Sequence, residues 1–248
     1  MADFATEAGH WYRPNGEPCY MVPDTKGNPR KATLRDARKL GLYPGVTTII
    51  RCAAAPGLDI WKRQQVLLAA LTLPAIPGES NTAYCDRIMK DSAEQAEKAA
   101  ASGTLIHGAI EKAFRNEPFA EAYTPWVELV RLELIDKCGL QDWKPERSVA
   151  HKYGFGTKLD LHSSDWLIDW KTKDGDESKA EMYDEHYMQL AAGRMALGTP
   201  VRCGIGFIGR EYPWTKIVET TEDELQRGWD MFEALLTYWQ AKNDYHPE

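Results

Sequence analysis

The chain has 248 residues, of which 43% are hydrophobic and 27% are charged, and its formal net charge is −7. This composition is typical of a soluble enzyme that buries one sizeable core. The negative charge argues against a protein that coats nucleic acid nonspecifically, because such domains are usually basic.

The sequence predicts a cytoplasmic protein. No stretch approaches the roughly 18 apolar residues of a membrane span. The segment MADFATEAGH has neither the basic start nor the apolar centre of a signal peptide. The five cysteines are dispersed and include no C-x-x-C pair, which indicates reduced thiols rather than disulfides or a zinc site.

The first part of the chain is predicted to be helical. Residues 1–45 are rich in proline, glycine and polar residues and indicate an irregular arm with one short helix. The long helical pattern at about 81–115 is compatible either with one continuous helix or with a break near Ser102-Gly103. Gly139 is expected to end the last helix of this part. The predicted helices lie at about 33–40, 47–53, 59–72, 81–115 and 124–139.

The second part predicts three strands, a helix, two strands and a final helix. Thr221 and Glu224 match a capping box that opens the final helix. This order indicates an α+β or α/β core, and we expect a single domain with a helical cap at 1–100 and the core at 101–248. The predicted strands lie at about 146–154, 157–163, 166–172, 202–210 and 214–219, with the intervening helix at about 180–197.

The segment GTKLDLHSSDWLIDWKTK at 156–173 predicts a β-hairpin. Apolar and charged residues alternate with period two on both sides of a polar SSD turn. If residues 164–165 form the loop, Asp160 lies opposite Asp169. Directly paired side chains have Cβ atoms roughly 4.5–5.5 Å apart, so this register brings two carboxylates together.

Two facing acids destabilise a sheet, and a cation is expected to offset their repulsion. The same register places Lys158 opposite Lys171, so a lysine lies beside the acids. A hard divalent metal ion is the simplest further candidate. Without other evidence, however, a pattern of this kind more often marks a charged strand face that is merely solvated.

The hairpin resembles the core of the PD-(D/E)XK nuclease superfamily, an antiparallel hairpin that carries D…(D/E)-x-K and is flanked by helices. Asp160, Asp169 and Lys171 match the two acids and the lysine, while Leu159 replaces the motif's proline. The resemblance implies a restriction-endonuclease-like core with a central mixed sheet flanked by helices. It also implies a phosphodiester hydrolase in which Asp160, Asp169 and the Trp170 carbonyl hold Mg²⁺ or Mn²⁺.

A helical motif is similar to one in the RecB-like exonuclease branch of this superfamily. Gly103, His107 and Glu111 share one helix face, and GTLIHGAIE matches the G-x-x-x-H-x-x-x-E signature, in which the histidine is a metal ligand. The resemblance therefore adds His107 to the metal ligands. By itself a helical histidine is more often structural, and a surface pair four residues apart explains Glu111 equally well.

Two further positions match this branch. Glu146 opens the strand before the hairpin, where members commonly carry a glutamate that helps to order the site. Gln189 fits the Q-L motif of the helix after the hairpin, whose glutamine approaches the active site or the DNA backbone. Members often continue Q-x-x-x-Y, but Gly193 stands in the tyrosine's place, so that role is empty or taken by Tyr183 or Tyr187.

The resemblance is to members without an iron–sulfur cluster. Cluster-containing members place one cysteine before the core and three near the C-terminus, whereas only Cys203 follows the hairpin here. The segments GVTTII and PGLDIWKRQ are similar to the start of phage-type members and of the mitochondrial genome maintenance exonucleases.

These resemblances imply a DNA exonuclease that acts on single strands or free ends, in recombination, repair or phage DNA processing. Strand ends could stack on Trp11, Tyr12 or Trp61, although core packing is the simpler role for these rings. Cations near the hairpin can form a local basic groove despite the net charge, namely Lys144, Arg147, Lys152, Lys158, Lys171, Lys173 and Lys179.

Three alternatives remain open. The chain could be an endonuclease of the same fold, or a nuclease-like module that only binds nucleic acid or protein. It could also be a plain α+β binding domain with a charged hairpin and no metal. A Mn²⁺ titration distinguishes the plain binding domain from the nuclease-like alternatives, because a charged strand face without a metal site should not bind the ion.

Overall fold

The computed structural model describes residues 10–54 and 56–247. Contacts divide the chain into two compact units, one formed by residues 10–53 with 109–247 and the other by the described residues of 54–108. Residues 10–53 pack with the unit that carries the sheet. The expected division into a cap at 1–100 and a core at 101–248 stays a prediction. That the whole chain acts as one nuclease domain stays a prediction.

The helices and strands alternate in the second half of the chain, as the sequence pattern predicts. Helices of the described residues are α1 (Leu34–Leu40), α2 (Val46–Ile50), α3 (Pro56–Thr72), α4 (Asn81–Phe114), α5 (Thr124–Cys138), α6 (Asp184–Leu197) and α7 (Glu222–Asn243). Strands are β1 (Trp11–Tyr12), β2 (Met21–Pro23), β3 (Pro29–Lys31), β4 (Tyr43–Pro44), β5 (Lys144–His151), β6 (Phe155–His162), β7 (Trp166–Lys173), β8 (Arg202–Gly209) and β9 (Thr215–Glu219).

A five-stranded mixed sheet forms the centre of the first unit. Its strand order is β5-β6-β7-β8-β9, with β7 and β8 parallel and the other neighbours antiparallel. The parallel pair is connected by α6, because parallel neighbours need a crossover. The fold class is therefore a mixed α/β sheet flanked by helices, consistent with a restriction-endonuclease-like fold, as predicted.

Helix ends follow the local signals that the sequence carries. Thr221 Oγ1 accepts a hydrogen bond from the Glu224 N–H and Glu224 Oε2 accepts one from the Thr221 N–H, so the predicted capping box is confirmed. Gly139 follows the last residue of α5 with a φ of 71°, as expected of a glycine that ends a helix. Helix α2 begins at Val46, one residue before the predicted start, and Gly45 is its N-cap residue.

One apolar cluster fixes α6 against the sheet. It contains Leu159 and Leu167 from the hairpin, Phe207 from β8 and Leu190 from α6. Full burial of a leucine or phenylalanine side chain contributes roughly 1.5–3 kcal/mol. These contacts therefore hold the helix that carries Gln189 over the strand that carries Asp169.

The N-terminal segment is more ordered than the composition predicts. Strand β1 pairs with β4, and β2 pairs with β3, in two small antiparallel sheets. Trp11, Val22 and Leu42 are buried in a cluster that also includes Phe155 and Phe232. The expectation of an irregular arm over 1–45 is thus wrong for residues 10–45, because buried aromatic and aliphatic side chains anchor the segment to the core.

The long helix α4 runs from Asn81 to Phe114 without a break at Ser102-Gly103. Gly103 is buried within it. Among the residues that the structure describes, no helix combines the length and apolar character that crossing a membrane requires.

Candidate active site

Asp169, Lys171 and Gln189 form a closed hydrogen-bonded network. Lys171 Nζ donates to Asp169 Oδ2 at 2.5 Å and to Gln189 Oε1 at 3.0 Å. Gln189 Nε2 donates to Asp169 Oδ1 at 2.6 Å. Asp169 is only 6% exposed, so both of its oxygens are paired where water has little access. The sequence motifs D-x-K and Q-L therefore meet in space.

Lys171 is kept in its charged form by two neighbouring acids. Burial lowers the pKa of its ammonium, but the charges of Asp169 and Asp160 outweigh that effect and the pKa is raised above its usual value. A charged ammonium donates hydrogen bonds and stabilises negative charge. In this arrangement Lys171 can therefore stabilise an anion beside Asp169.

Asp160 lies where the pairing between β6 and β7 ends. The ladder consists of His162 opposite Leu167 and Leu161 opposite Ile168, which confirms the predicted register. It stops there, and the expected pair of Asp160 with Asp169 does not form. Instead Asp160 Oδ2 accepts a hydrogen bond of 2.9 Å from the Trp170 N–H.

The second expected pair, Lys158 with Lys171, is also wrong. Lys158 forms an ion pair with Glu146 of β5, whereas Lys171 turns to Asp169. The physical reason is that each lysine finds an acid, while two facing lysines would repel. Between the diverging strands lies a small cavity lined by Thr157, Lys158, Leu159, Asp160, Leu167, Asp169, Gln189 and Leu190.

The two carboxylates influence each other. Burial and then the negative charge of Asp169 raise the pKa of Asp160 to about 7. Lys171, the Trp170 N–H and Lys158 act in the opposite direction but do not cancel these effects. The proximity of two acids that the sequence predicts is thus present, although the ladder does not create it.

Glu146 adopts a strained backbone conformation. Its φ of 56° places it in the left-handed region, where a residue other than glycine costs roughly 1–3 kcal/mol. Register pairs on both sides of it, Pro145 with Leu161 and Arg147 with Leu159, leave Glu146 and Asp160 out of the ladder. The side chain of Glu146 reaches Lys158, so it lies beside the hairpin but is engaged by a lysine.

Close packing of α6 on the hairpin explains the glycine at position 193. A Cβ there would lie 3.1 Å from Leu159 Cδ2 and 3.2 Å from Leu167 Cδ2, tighter than usual contact. The helix can therefore approach the sheet closely one turn beyond Gln189. No tyrosine fits at this position without displacing the two leucines.

Neither alternative tyrosine reaches the network. Tyr187 donates a hydrogen bond of 3.3 Å to Glu224, and Arg227 lies over its ring, so it faces α7. Tyr183 precedes α6 and lies under Lys173, with Nζ 4.7 Å from the ring centroid. Of these two tyrosines, Tyr183 is the one that contacts the hairpin, through Lys173 of β7.

His186 stabilises the start of α6, a role that the sequence pattern does not predict. Its Nδ1 accepts a hydrogen bond of 3.1 Å from the Tyr183 N–H, which closes the first turn of α6. Burial, together with Lys171 and Lys173, lowers its pKa to about 3, so the ring is neutral. A Tyr…His capping pair has no common sequence signature, and nothing in the pattern pointed to it.

His107 and Glu111 lie on α4, one turn apart. His107 is half-buried and belongs to the 54–108 unit, whereas Glu111 belongs to the unit that carries the sheet. Glu111 forms an ion pair with Arg115 at 2.9 Å, the surface pair that the sequence left open. The role of His107 as a metal ligand stays a prediction.

The donor set fits a divalent cation in part. Two adjacent carboxylates whose charges repel are suited to Mg²⁺ or Mn²⁺, which take oxygen ligands. Within residues 10–54 and 56–247, however, no cluster of three histidine, cysteine or acidic side chains is arranged to hold an ion. Main-chain oxygens, such as the predicted Trp170 carbonyl, and water would have to complete the coordination.

Comparisons with known proteins give only distant structural similarity. No family model and no curated protein matches the chain. A crystal structure named "Putative exonuclease" from Eubacterium rectale is 12% identical, with a TM-score of 0.43 over 58% of this chain and 68% of that one. An alkaline exonuclease from Laribacter hongkongensis is 17% identical, with a TM-score of 0.28 over 51% and 76%. Likeness at this level identifies no function.

Proposed function

We propose that this protein is a metal-dependent deoxyribonuclease of the RecB-like type that hydrolyses phosphodiester bonds from a DNA end. The observation that carries the proposal is the network of Asp169, Lys171 and Gln189 beside the half-buried Asp160. Asp160, Asp169 and Gln189, from β6, β7 and α6, line one small cavity, and Lys171 is hydrogen-bonded to Asp169 and Gln189. A merely solvated strand face would not need to bring these groups together and to bury Asp169 among them.

Each side chain has a role that follows from its position. Asp160 and Asp169 hold the divalent ion, with the Trp170 carbonyl and His107 proposed as further ligands. Lys171 stabilises the negative charge that develops on the phosphate in the transition state and orients the attacking water. Gln189 holds Lys171 and Asp169 in place, and Glu146 holds Lys158 beside them.

When bound, Mg²⁺ or Mn²⁺ polarises a phosphate oxygen and lowers the pKa of water. The protein groups supply the rest of the chemistry. Lys171, Lys158 and Lys173 lie on the two strands of the site and provide positive charge for the substrate. The net charge of −7 therefore does not oppose DNA binding in a local groove.

The preference for ends rests on the resemblance of the GTLIH and Q-L motifs to exonucleases. The test is digestion of end-labelled linear DNA and of a closed single-stranded circle of the same sequence, with Mg²⁺ or Mn²⁺ and with EDTA. We expect metal-dependent shortening of the linear strand and survival of the circle. Rapid cutting of the circle would leave an endonuclease in place of the exonuclease.

Three variants and one control make this test specific. Asp169→Asn and Lys171→Ala should abolish digestion, while Asp136→Asn, an exposed acid on α5, should not. His107→Ala should raise the Mn²⁺ concentration that gives half-maximal activity. Digestion by Asp169→Asn at the wild-type rate would contradict the proposed site.

A further inference from the structure

Three aromatic side chains form a row that starts on β6, the strand that carries Asp160, and ends at the surface. Tyr20 Oη donates a hydrogen bond of 2.8 Å to Tyr12 Oη, and the two rings meet edge to face at 5.6 Å. His10 lies on the other side of Tyr20, with ring centroids 4.8 Å apart and an angle of 31° between the planes. Tyr12 is buried, Tyr20 is half-buried and His10 is exposed.

The inner end of the row is fixed to the strand that carries Asp160. The Tyr12 ring lies directly on Gly156 of β6, where a Cβ would come within 2.5 Å of Tyr12 Cγ. Burial is the main cause of the raised pKa of Tyr12, and the negative charge of Asp160 adds to it. The inner end of the row therefore packs on the same strand as Asp160, at a residue four positions before it.

The outer end of the row is held by its backbone. The His10 N–H donates to Thr48 Oγ1 at 3.3 Å, and the His10 carbonyl accepts from the Gly45 N–H at 2.7 Å. Strand β1, which follows His10, pairs with β4. An exposed ring on a fixed backbone can contact a ligand at a small cost in conformational entropy.

Positive charges surround this exposed ring. Neighbouring groups partly desolvate the ring and lower the pKa of His10, and the charges of Arg51, Lys158 and Lys31 lower it further. Arg51 and Lys31 are exposed, and neither forms an ion pair within the described part of the chain. A neutral ring among free cations is a suitable environment for an aromatic, negatively charged ligand.

We propose that His10 and Tyr20 form a stacking subsite for one unpaired nucleotide of the substrate strand, whose phosphates contact Arg51 and Lys31. The subsite rests on the proposed nuclease function, because the row begins on the strand that carries Asp160. It specifies the substrate as a strand with an unpaired segment at the site. A base stacks on an aromatic ring through its π-face and needs no sequence-specific contact.

The chemistry favours a single strand over a duplex. A paired base already stacks on its neighbours and presents only its edge, whereas an unpaired base can turn its face to a side chain. Removal of one stacking side chain typically weakens binding by about 5- to 150-fold. Cations add a salt-dependent contribution of about one counterion for each phosphate contacted.

The test measures binding of a fluorescent single-stranded oligonucleotide and of the matching blunt duplex by anisotropy, in full-length Asp169→Asn protein to prevent cleavage. His10→Ala should raise the Kd for the single strand at least about fivefold, with a smaller effect on the duplex. His10→Tyr should restore binding, because it restores a ring. Tyr238→Ala, which removes an aromatic side chain 53% exposed on α7, is the control and should leave the Kd unchanged.

Arg51→Gln should reduce the slope of log K against log salt by about 0.7, the value for one phosphate contact on a single strand. Lys137→Gln, at an exposed cation on α5, should leave the slope unchanged. Equal Kd values for His10→Ala and its parent would overturn the subsite. A wild-type protein that binds the strand but does not cleave it would overturn the proposed function alone, since the binding comparison does not depend on cleavage.

Discussion

The backbone N–H of Trp170 donates a hydrogen bond of 2.9 Å to Oδ2 of Asp160, just beyond the last ladder pair of β6 and β7. A side-chain carboxylate thus takes the position that a main-chain carbonyl would occupy in a continued ladder. The strands can then diverge without leaving the Trp170 N–H unpaired, which would cost about 1–3 kcal/mol. The divergence opens the cavity into which Asp169 and Gln189 project.

Asp160 can be tested because its structural and proposed chemical roles are separable. In Asp160→Asn, the amide oxygen can still accept from Trp170, whereas the charge that repels Asp169 is lost. We expect metal-free protein to unfold at the same or a higher temperature than wild type at pH 8. Nuclease activity should fall by more than about 100-fold, because the metal loses a charged ligand.

Asp160→Leu serves as the comparison, since leucine cannot accept the hydrogen bond. It should lower the melting temperature as well as the activity. The measurements are thermal unfolding in EDTA and digestion of labelled DNA with Mn²⁺. An Asp160→Asn protein that is both active and less stable would show that the carboxylate serves only the fold.

Gln189 is predicted to position Lys171 and Asp169 rather than to take part in the reaction. Gln189→Ala removes the donor to Asp169 Oδ1 and the acceptor for Lys171 Nζ. Loss of such a supporting contact typically costs about 10- to 100-fold in metal affinity or activity. We expect a decrease of this size in kcat, with a change in the Mn²⁺ dependence.

A control for Gln189 lies on α7. Gln226 is exposed and donates only to Asp230, so Gln226→Ala should leave kcat and the Mn²⁺ dependence unchanged. Complete loss of activity in Gln189→Ala, with normal metal binding and folding, would instead assign the glutamine to the reacting groups.

Local patterns in the sequence predict the hairpin and the positions on it. Period-two alternation defines β6 and β7, and Asp169 and Lys171 are two residues apart on one strand, so their proximity follows from strand geometry. The position of Gln189 against them depends on how α6 packs, which no local pattern specifies. Only the resemblance of the Q-L motif to the RecB-like branch predicts that Gln189 approaches the site.

The parts that were missed depend on contacts distant in sequence. The ladder ends at Leu161 because Asp160 bonds to a backbone N–H, a side-chain choice that the alternation cannot reveal. Tyr12 reaches β6 because Gly156 has no side chain, and these two residues are 144 positions apart (156 − 12). Burial of such pairs is a property of the tertiary fold.

His186 predicts a specific loss of stability in acid. Its pKa is lowered from 6.5 to about 3, so the folded protein holds it neutral while the unfolded chain binds a proton. The stability from neutral His186 is fully present above pH 6.5 and is lost as the pH falls from there towards 3. At most about 1.4 kcal/mol is lost per pH unit in this window.

His186→Gln provides the measurement, because glutamine can accept from the Tyr183 N–H but does not titrate. Urea unfolding at several pH values between 4 and 8 should give a shallower loss of stability for the variant than for wild type. The difference between the two curves removes the contribution of the carboxylates. Parallel curves would mean that His186 is protonated equally in both states.

Gly193 is predicted to be required for the close approach of α6 to the hairpin. In Gly193→Ala the new methyl group would press on Leu159 and Leu167, which must shift by a few tenths of an ångström. Overpacking of this kind typically costs about 1–3 kcal/mol, which outweighs the gain of up to about 1 kcal/mol from replacing a helical glycine with alanine. Gly108→Ala is the matched control, since an added Cβ in α4 would meet nothing within 4 Å beyond the backbone of its own helical turns. We therefore expect urea unfolding to report lower stability for Gly193→Ala and higher stability for Gly108→Ala.

A displaced α6 should also move Gln189 away from Asp169, so Gly193→Ala should reduce nuclease activity even at temperatures where it is fully folded. Increased stability and full activity in Gly193→Ala would mean that the leucines yield without cost and that the glycine does not set the distance between the helix and the site.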